Sequence, residues 1–120
     1  DCPTVVFAVD AQGKLDPSFG TMGVVRIAGG TFYEMPTGIA ELPDDTIVVT
    51  GAIEENATQK FAVWRLGRDG SPDPAGPLVL PGKGRGTVAF LDGPSLYVGG
   101  WLFRPTSGSD MVTMRFNVGN

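Results

Sequence analysis

Short apolar runs separated by turn residues dominate the chain and predict nine β-strands. The runs are rich in β-branched and aromatic residues, which favour strands, and no segment of ten or more residues has a helical period. The predicted strands are Thr4 to Val9, Gly23 to Ala28, Thr37 to Leu42, Thr46 to Ile53, Lys60 to Leu66, Pro77 to Leu80, Thr87 to Leu91, Ser95 to Leu102 and Asp110 to Asn117. Between them, turns such as Arg68-Asp-Gly70 indicate antiparallel hairpins, and the glycine-rich stretch from Gly82 to Gly86 is predicted to be a loop.

One strand pattern occurs three times along the chain. The alternating apolar residues of the three copies are Val5, Phe7 and Val9, then Ala62, Trp64 and Leu66, then Val112, Met114 and Phe116. This period of two predicts a core face on each strand. The opposite faces, with residues such as Val6 and Val63, are also too apolar for a sheet with one side in water. We therefore expect repeat units that stack and cover each other's faces.

Three motifs follow one another between residues 13 and 70. They are Gly13-Lys-Leu-Asp-Pro-Ser-Phe-Gly20, Ile39-Ala-Glu-Leu-Pro-Asp-Asp-Thr-Ile-Val-Val-Thr-Gly51 and Phe61-Ala-Val-Trp-Arg-Leu-Gly-Arg-Asp-Gly70. Together they resemble the delta-60 repeat of bacterial β-propellers. The second copy departs from the pattern at Ser71-Pro-Asp-Pro-Ala-Gly76, which lacks the phenylalanine-glycine pair. The resemblance implies antiparallel four-stranded blades, and proteins that are commonly secreted or part of the bacterial cell envelope and have no established chemistry.

The nine strands correspond to two four-stranded blades and one extra N-terminal strand. The expected division is residues 1–10 for the extra strand, 11–67 for the first blade and 68–120 for a divergent second blade. Closure of a propeller takes about four to eight blades. The chain is therefore expected to be part of a larger propeller or to form an oligomeric ring, in which the extra strand could add to a neighbouring chain's open edge.

Charge and composition exclude several classes of function. The net charge is −4, and the nine Lys and Arg residues form no basic stripe, so nucleic acid is not an expected partner. No apolar run reaches the roughly 18 to 20 residues of a membrane span. The sequence contains no His and a single Cys, so we expect no imidazole-based catalysis, no metal site and no cofactor. Cys2 fits either a lipid-anchored or intermolecular cysteine, or a residue without a role near the terminus.

Six residues are weak candidates for ligand binding. Aromatic and Arg side chains are enriched at binding hot spots. Core or inter-blade packing is the alternative role for Trp101, Phe103 and Arg104. Arg65 and Arg115 are equivalent in the repeat, and an ion pair between Arg65 and a following aspartate such as Asp73 would give them a structural role. The candidates are Trp101, Phe103, Arg104, Trp64, Arg65 and Arg115.

The favoured function is a noncatalytic structural or interaction module that assembles through its blade faces and strand edges, with further blades, a protein or a glycan as partner. The alternative is a lectin-like propeller that binds carbohydrate between blades. A glycosidase that uses two carboxylates is less favoured, because most aspartates lie in predicted turns, where they would accept hydrogen bonds from nearby backbone N–H groups. These include Asp16, Asp44, Asp45, Asp69, Asp73 and Asp92.

Overall fold

A computed structural model of the chain describes residues 3–27 and 34–119. Nine strands and no helix occur in these residues, which confirms the all-β prediction. The strands are β1 (Thr4–Phe7), β2 (Val24–Ile27), β3 (Glu34–Glu41), β4 (Ile47–Glu55), β5 (Thr58–Leu66), β6 (Leu78–Val79), β7 (Gly84–Asp92), β8 (Ser95–Arg104) and β9 (Gly108–Asn117). The predicted loop at Gly82 to Gly86 is wrong in its second half, since β7 already begins at Gly84. Cys2 and Ala28 lie outside the described residues.

The strands form three antiparallel sheets, here called the first sheet (β1-β2), the middle sheet (β3-β4-β5-β6) and the third sheet (β7-β8-β9). This grouping differs from the expected blade boundaries. The predicted extra strand β1 has β2 as its partner, through the pair Val6 and Val25. In the same way β6 pairs with β5, through Val63 and Leu78. A sequence repeat gives the length of the unit but not the strand at which a sheet begins. Here the chain turns back after β1 to add β2, and after β5 to add β6.

Hydrogen bonds confirm that the two turn regions are structural copies. The Asp16 N–H donates to the Ala8 carbonyl at 2.9 Å, and the Asp73 N–H donates to the Arg65 carbonyl at 3.0 Å. Within each turn the third residue after the aspartate donates back to it, Phe19 to Asp16 at 3.1 Å and Gly76 to Asp73 at 2.9 Å. Gly76 therefore occupies the position of Phe19 in the second copy.

The hydrophobic core consists of two layers, one on each side of the middle sheet. The first layer lies between the first and middle sheets, the second between the middle and third sheets. Alternation along β5 supplies both layers, because Trp64 faces the first and Phe61 faces the second. The prediction that both faces are covered is thus confirmed for the middle sheet.

The two outermost faces of the stack are apolar and exposed. On β1 and in the residues just after it, Val5, Phe7 and Val9 are 42%, 64% and 51% exposed, although the alternation predicted a core face there. The prediction is wrong for the described residues because no sheet among them lies against this side. Val6, on the opposite side of β1, belongs to the first core layer, and Ala8 packs against this layer.

Phe61 packs closely against glycines of the third sheet. Its side chain is fully buried, and its ring lies over Gly86 and Gly100. A Cβ on Gly100 would lie 2.5 Å from the Phe61 Cε2 atom, and one on Gly86 would lie 3.1 Å from its Cε1 atom. Glycine at both positions therefore leaves the space that the ring occupies.

Candidate functional site

An exposed group of aromatic and apolar side chains covers the outer side of the third sheet, and we call it the aromatic face. Strand pairing places its members on one side of the sheet, because paired residues and alternate residues along a strand share a face. The rings of Phe90 and Tyr97 stack with their centroids 5.1 Å apart at an angle of 17°. The members are Val88, Phe90, Tyr97, Trp101, Phe103 and Met111.

The structure brings two of the predicted binding residues into the aromatic face. Trp101 is half-buried and pairs with Met111, while Phe103 is exposed at the end of β8. Arg104 is held at the turn between β8 and β9, where its Nε atom lies 2.9 Å from the Asp110 Oδ2 atom. The side chain of Arg104 therefore closes the hairpin.

Trp64 lies apart from these residues, in the first core layer. Only 2% of it is exposed, and its Nε1 atom has no hydrogen-bond partner among the described residues. Trp64 therefore has a packing role in this structure, and it does not form a binding platform together with Trp101.

The two equivalent arginines lie in different surroundings. Arg115 is exposed on β9 and pairs with Tyr97 in the strand register. Arg65 is exposed at the end of β5, and the described residues show no ion pair between it and Asp73, only the backbone bond from the Asp73 N–H to the Arg65 carbonyl. The Thr46 hydroxyl and N–H lower the pKa of Asp44 below its usual value, and the charge of Arg65 adds to this effect.

Four of the six predicted turn aspartates accept hydrogen bonds in their own loops, namely Asp16, Asp44, Asp69 and Asp73. Asp45 instead forms an ion pair with Arg68, and Asp92 is the last residue of β7. Asp16 accepts hydrogen bonds from the N–H and hydroxyl of Ser18 at 2.9 and 2.6 Å, and Asp69 accepts the same pair from Ser71 at 3.0 and 2.5 Å. These serine hydroxyls are the main reason that the pKa values of Asp16 and Asp69 are lowered. No group of three or more His, Cys, Asp or Glu residues in the described ranges could hold a metal ion.

A cavity of about 370 Å³, here called the interface pocket, opens between the middle and third sheets. Apolar side chains form most of its wall, and Asp44, Arg65 and Asp73 line it as charged residues. The strand pattern did not predict this pocket. The available signal was the missing phenylalanine-glycine pair of the second copy, since Gly76 is part of the pocket lining.

The third sheet ends in an open strand edge at β9. In the middle sheet, β6 covers the corresponding edge of β5 at Ala62 and Val63. The equivalent residues of β9, Val112 and Thr113, pair with β8 on one side and have no strand on the other among the described residues. The third sheet therefore presents both an apolar face and an edge that can accept a strand.

Comparison with known families supports the class of fold. A family model described as a domain of unknown function (DUF5122) β-propeller matches residues 42–75. No curated protein matches the chain. The chain has the fold of a partial β-propeller, made of antiparallel sheets stacked face to face with open outer sheets. The more specific delta-60 resemblance stays a prediction.

Within the described ranges there is no helix with the length and apolar character needed to span a membrane.

Proposed function

We propose that the chain is a noncatalytic interaction module of a β-propeller protein, and that it assembles through the outer faces of its first and third sheets. Its partners on these faces are further propeller blades, in the same chain or in another copy. A location outside the cell or in the cell envelope, as the delta-60 resemblance implies, is part of this proposal.

The observation that carries the proposal is the contrast between Phe61 and Met111. The repeat makes these two residues equivalent, since Phe61 precedes Ala62 as Met111 precedes Val112. Phe61 is fully buried beneath the third sheet, whereas Met111 is 92% exposed on the aromatic face. This position is thus buried where another sheet packs against it, as the third sheet packs against Phe61. The exposure of Met111 therefore supports a further sheet as the partner of the aromatic face.

The total surface of the chain agrees with this interpretation. Its accessible area is 7150 Å², against about 6,200 Å² expected for a folded monomer of this mass. Exposed apolar residues of the first and third sheets belong to this surface, among them Phe7 and Phe90 at 64% and 52% exposure. Large exposed apolar patches of this kind mark interaction sites.

The two other candidate functions have less support. A lectin-like site would need its aromatic and polar residues together, and Trp64 and Trp101 lie on different sides of the middle sheet. A glycosidase would need a carboxylic acid with a raised pKa. Asp44 lines the interface pocket, but its pKa is lowered, which is the opposite of what a general acid requires.

Light scattering tests the proposal on the chain as it stands. We expect a mass above the 12.6 kDa of one chain, increasing with concentration. Met111→Asp places a charge in the centre of the aromatic face, so it should lower this mass, because burial of an unpaired charge is costly. Thr106→Asp is the matched control, since it adds the same charge at an exposed turn between β8 and β9.

A folded chain with a constant mass of 12.6 kDa would contradict the proposal. Equal effects of the Met111 and Thr106 substitutions would also contradict it, because net charge would then control association rather than the aromatic face. Circular dichroism of each variant should show the same strand content as the original chain.

A further inference from the structure

The turn after β5 lacks the buried aromatic side chain that the equivalent turn after β1 contains. Phe19 is 4% exposed and packs in the first core layer, between the first and middle sheets. Its ring lies against the next turn of the middle sheet, where a Cβ on Gly70 would come within 3.1 Å of the ring atoms Cε2 and Cζ. The hydrogen-bonded copy of Phe19 in the second turn is Gly76, which has no side chain.

The interface pocket occupies the space that corresponds to the Phe19 ring. Part of the pocket wall consists of repeat equivalents of residues that lie with Phe19 in the first core layer. Three such pairs, each with the first-layer residue named first, are Val6 and Val63, Val25 and Leu78, and Leu66 and Phe116. The first interface thus shows directly that walls of this kind accept a phenyl ring.

The charged end of the pocket favours a cationic group. Asp44, Asp73 and Arg65 line it, so two carboxylates face one guanidinium. An aspartate with an ordinary pKa is already ionised at neutral pH, and the pKa of Asp44 is lower still. Each aspartate uses its Oδ1 atom to accept a hydrogen bond in its own turn, from the N–H of Thr46 at 3.0 Å and of Ala75 at 2.9 Å. The charge that remains is negative.

We propose that the interface pocket binds small aromatic amines. The ring of the ligand takes the place that the Phe19 side chain holds in the first interface, and its ammonium group lies near Asp73 and Asp44. The volume of about 370 Å³ is in the range of small-molecule sites. The site is formed within one chain by the middle and third sheets, so it does not depend on the proposed assembly.

Titration with phenethylamine, followed by ¹⁵N chemical shifts, tests the proposal. We expect saturable shifts at residues of the pocket wall, with a dissociation constant on the order of 1 mM for so small a ligand. Leu78→Trp should weaken this binding about tenfold or more, because the larger side chain fills the pocket mouth. Leu78 is chosen because Gly76 has a φ of 78°, at which any side chain would be strained.

Two matched controls lie in the first turn region. Leu15→Trp changes a leucine that is 48% exposed, close to the 45% of Leu78, but lies in the first turn outside the pocket. It should leave phenethylamine binding unchanged. Asp73→Asn keeps the turn bond and removes one charge, so it should weaken binding about twofold to fivefold, while Asp16→Asn, the same change in the first turn, should have no effect.

Phenylacetate distinguishes the contribution of the ligand's charge to binding from that of its ring. It carries the same ring with a carboxylate, and we expect it to bind more weakly than phenethylamine to the original chain. Equal binding of both compounds would overturn the assignment of a cationic ligand. Failure of phenethylamine to give saturable shifts would overturn the site itself, as would equal binding by Leu78→Trp with the fold retained in its ¹⁵N spectrum.

Discussion

Aspartate side chains fix the turns of this chain by bonding to residues two positions further on. Asp16 and Asp69 each accept both the N–H and the hydroxyl of a serine, and Asp44 accepts the N–H of Thr46. A carboxylate accepts these bonds better when ionised, which lowers its pKa in the folded chain. The turns are therefore coupled to pH although they lie at the surface.

The first prediction concerns stability in acid. The folded pKa values of Asp16, Asp44 and Asp69 lie below the ordinary value of 3.8, so their contribution to stability is present above pH 3.8. It is lost as the pH falls through the folded values. Ser71→Ala removes the main cause of the shift at Asp69, and the urea midpoint of this variant should fall less between about pH 5 and about pH 3.

Ser109→Ala, which changes an exposed serine of β9, is the control and should keep the original pH dependence. NMR titration gives the pKa of Asp69 directly. A value at or above 3.8 in the folded chain would contradict the prediction.

At the scale of the elements, two equivalent β-bulges interrupt the first strands of the middle and third sheets. The register shifts between Pro36 and Gly38 in β3, and between Gly86 and Val88 in β7. The residue at each bulge is a threonine whose hydroxyl lies near a carbonyl of the next strand in its own sheet, at 3.2 Å from Thr50 for Thr37 and at 3.3 Å from Gly99 for Thr87. The Thr37 hydroxyl also lies 2.6 Å from the Gly86 carbonyl, and this shorter hydrogen bond connects the middle and third sheets.

The second prediction follows from this difference. Thr37→Val keeps the shape of the side chain and removes a hydrogen bond between the middle and third sheets, so it should lower the free energy of unfolding by about 1 kcal/mol. Thr87→Val removes the longer and more exposed bond and should cost less than about 0.5 kcal/mol. Urea unfolding of both variants measures the values, and an equal loss would show that Thr37 does not join the sheets.

For the whole molecule, the order of the three sheets decides which residues form the core. The middle sheet has a neighbour on each side and buries both faces, while the first and third sheets each bury one. Equivalent residues consequently have opposite exposures, 0% for Phe61 and 92% for Met111. A further blade on either outer face would continue the same packing.

The third prediction concerns the melting temperature. Association of folded chains stabilises them by mass action, so the melting temperature of the original chain should rise with its concentration. Met111→Asp should remove this dependence without changing the melting temperature at low concentration, because Met111 contributes little to the core of one chain. Differential scanning calorimetry over a hundredfold concentration range checks both statements, and a concentration-independent melting temperature of the original chain would contradict assembly.

The sequence by itself determined the strands, the turns and the repeat. Each of the nine described strands overlaps a predicted one, because alternation and turn residues are local signals that each strand carries in its own residues, although β3 and β7 begin three residues earlier than predicted. The roles of Asp16, Asp69 and Asp73 were predicted for the same reason, since their partners lie two residues away. The partner of Asp45, Arg68, is distant in the sequence and was not predicted. The absence of the phenylalanine-glycine pair from the second copy was also apparent in the sequence, but the pocket at this place was not predicted from it.

Only the tertiary structure decided which strands share a sheet, which faces are covered and where a cavity remains. Pairing of β2 with β1 and of β6 with β5 depends on the path of the chain after each turn. Phe7 is exposed and its equivalent Trp64 is buried because another sheet packs only against Trp64 among the described residues. The sequence around each residue does not determine this difference. The interface pocket likewise exists because Gly76 leaves a space between two sheets that contact each other only in the folded chain.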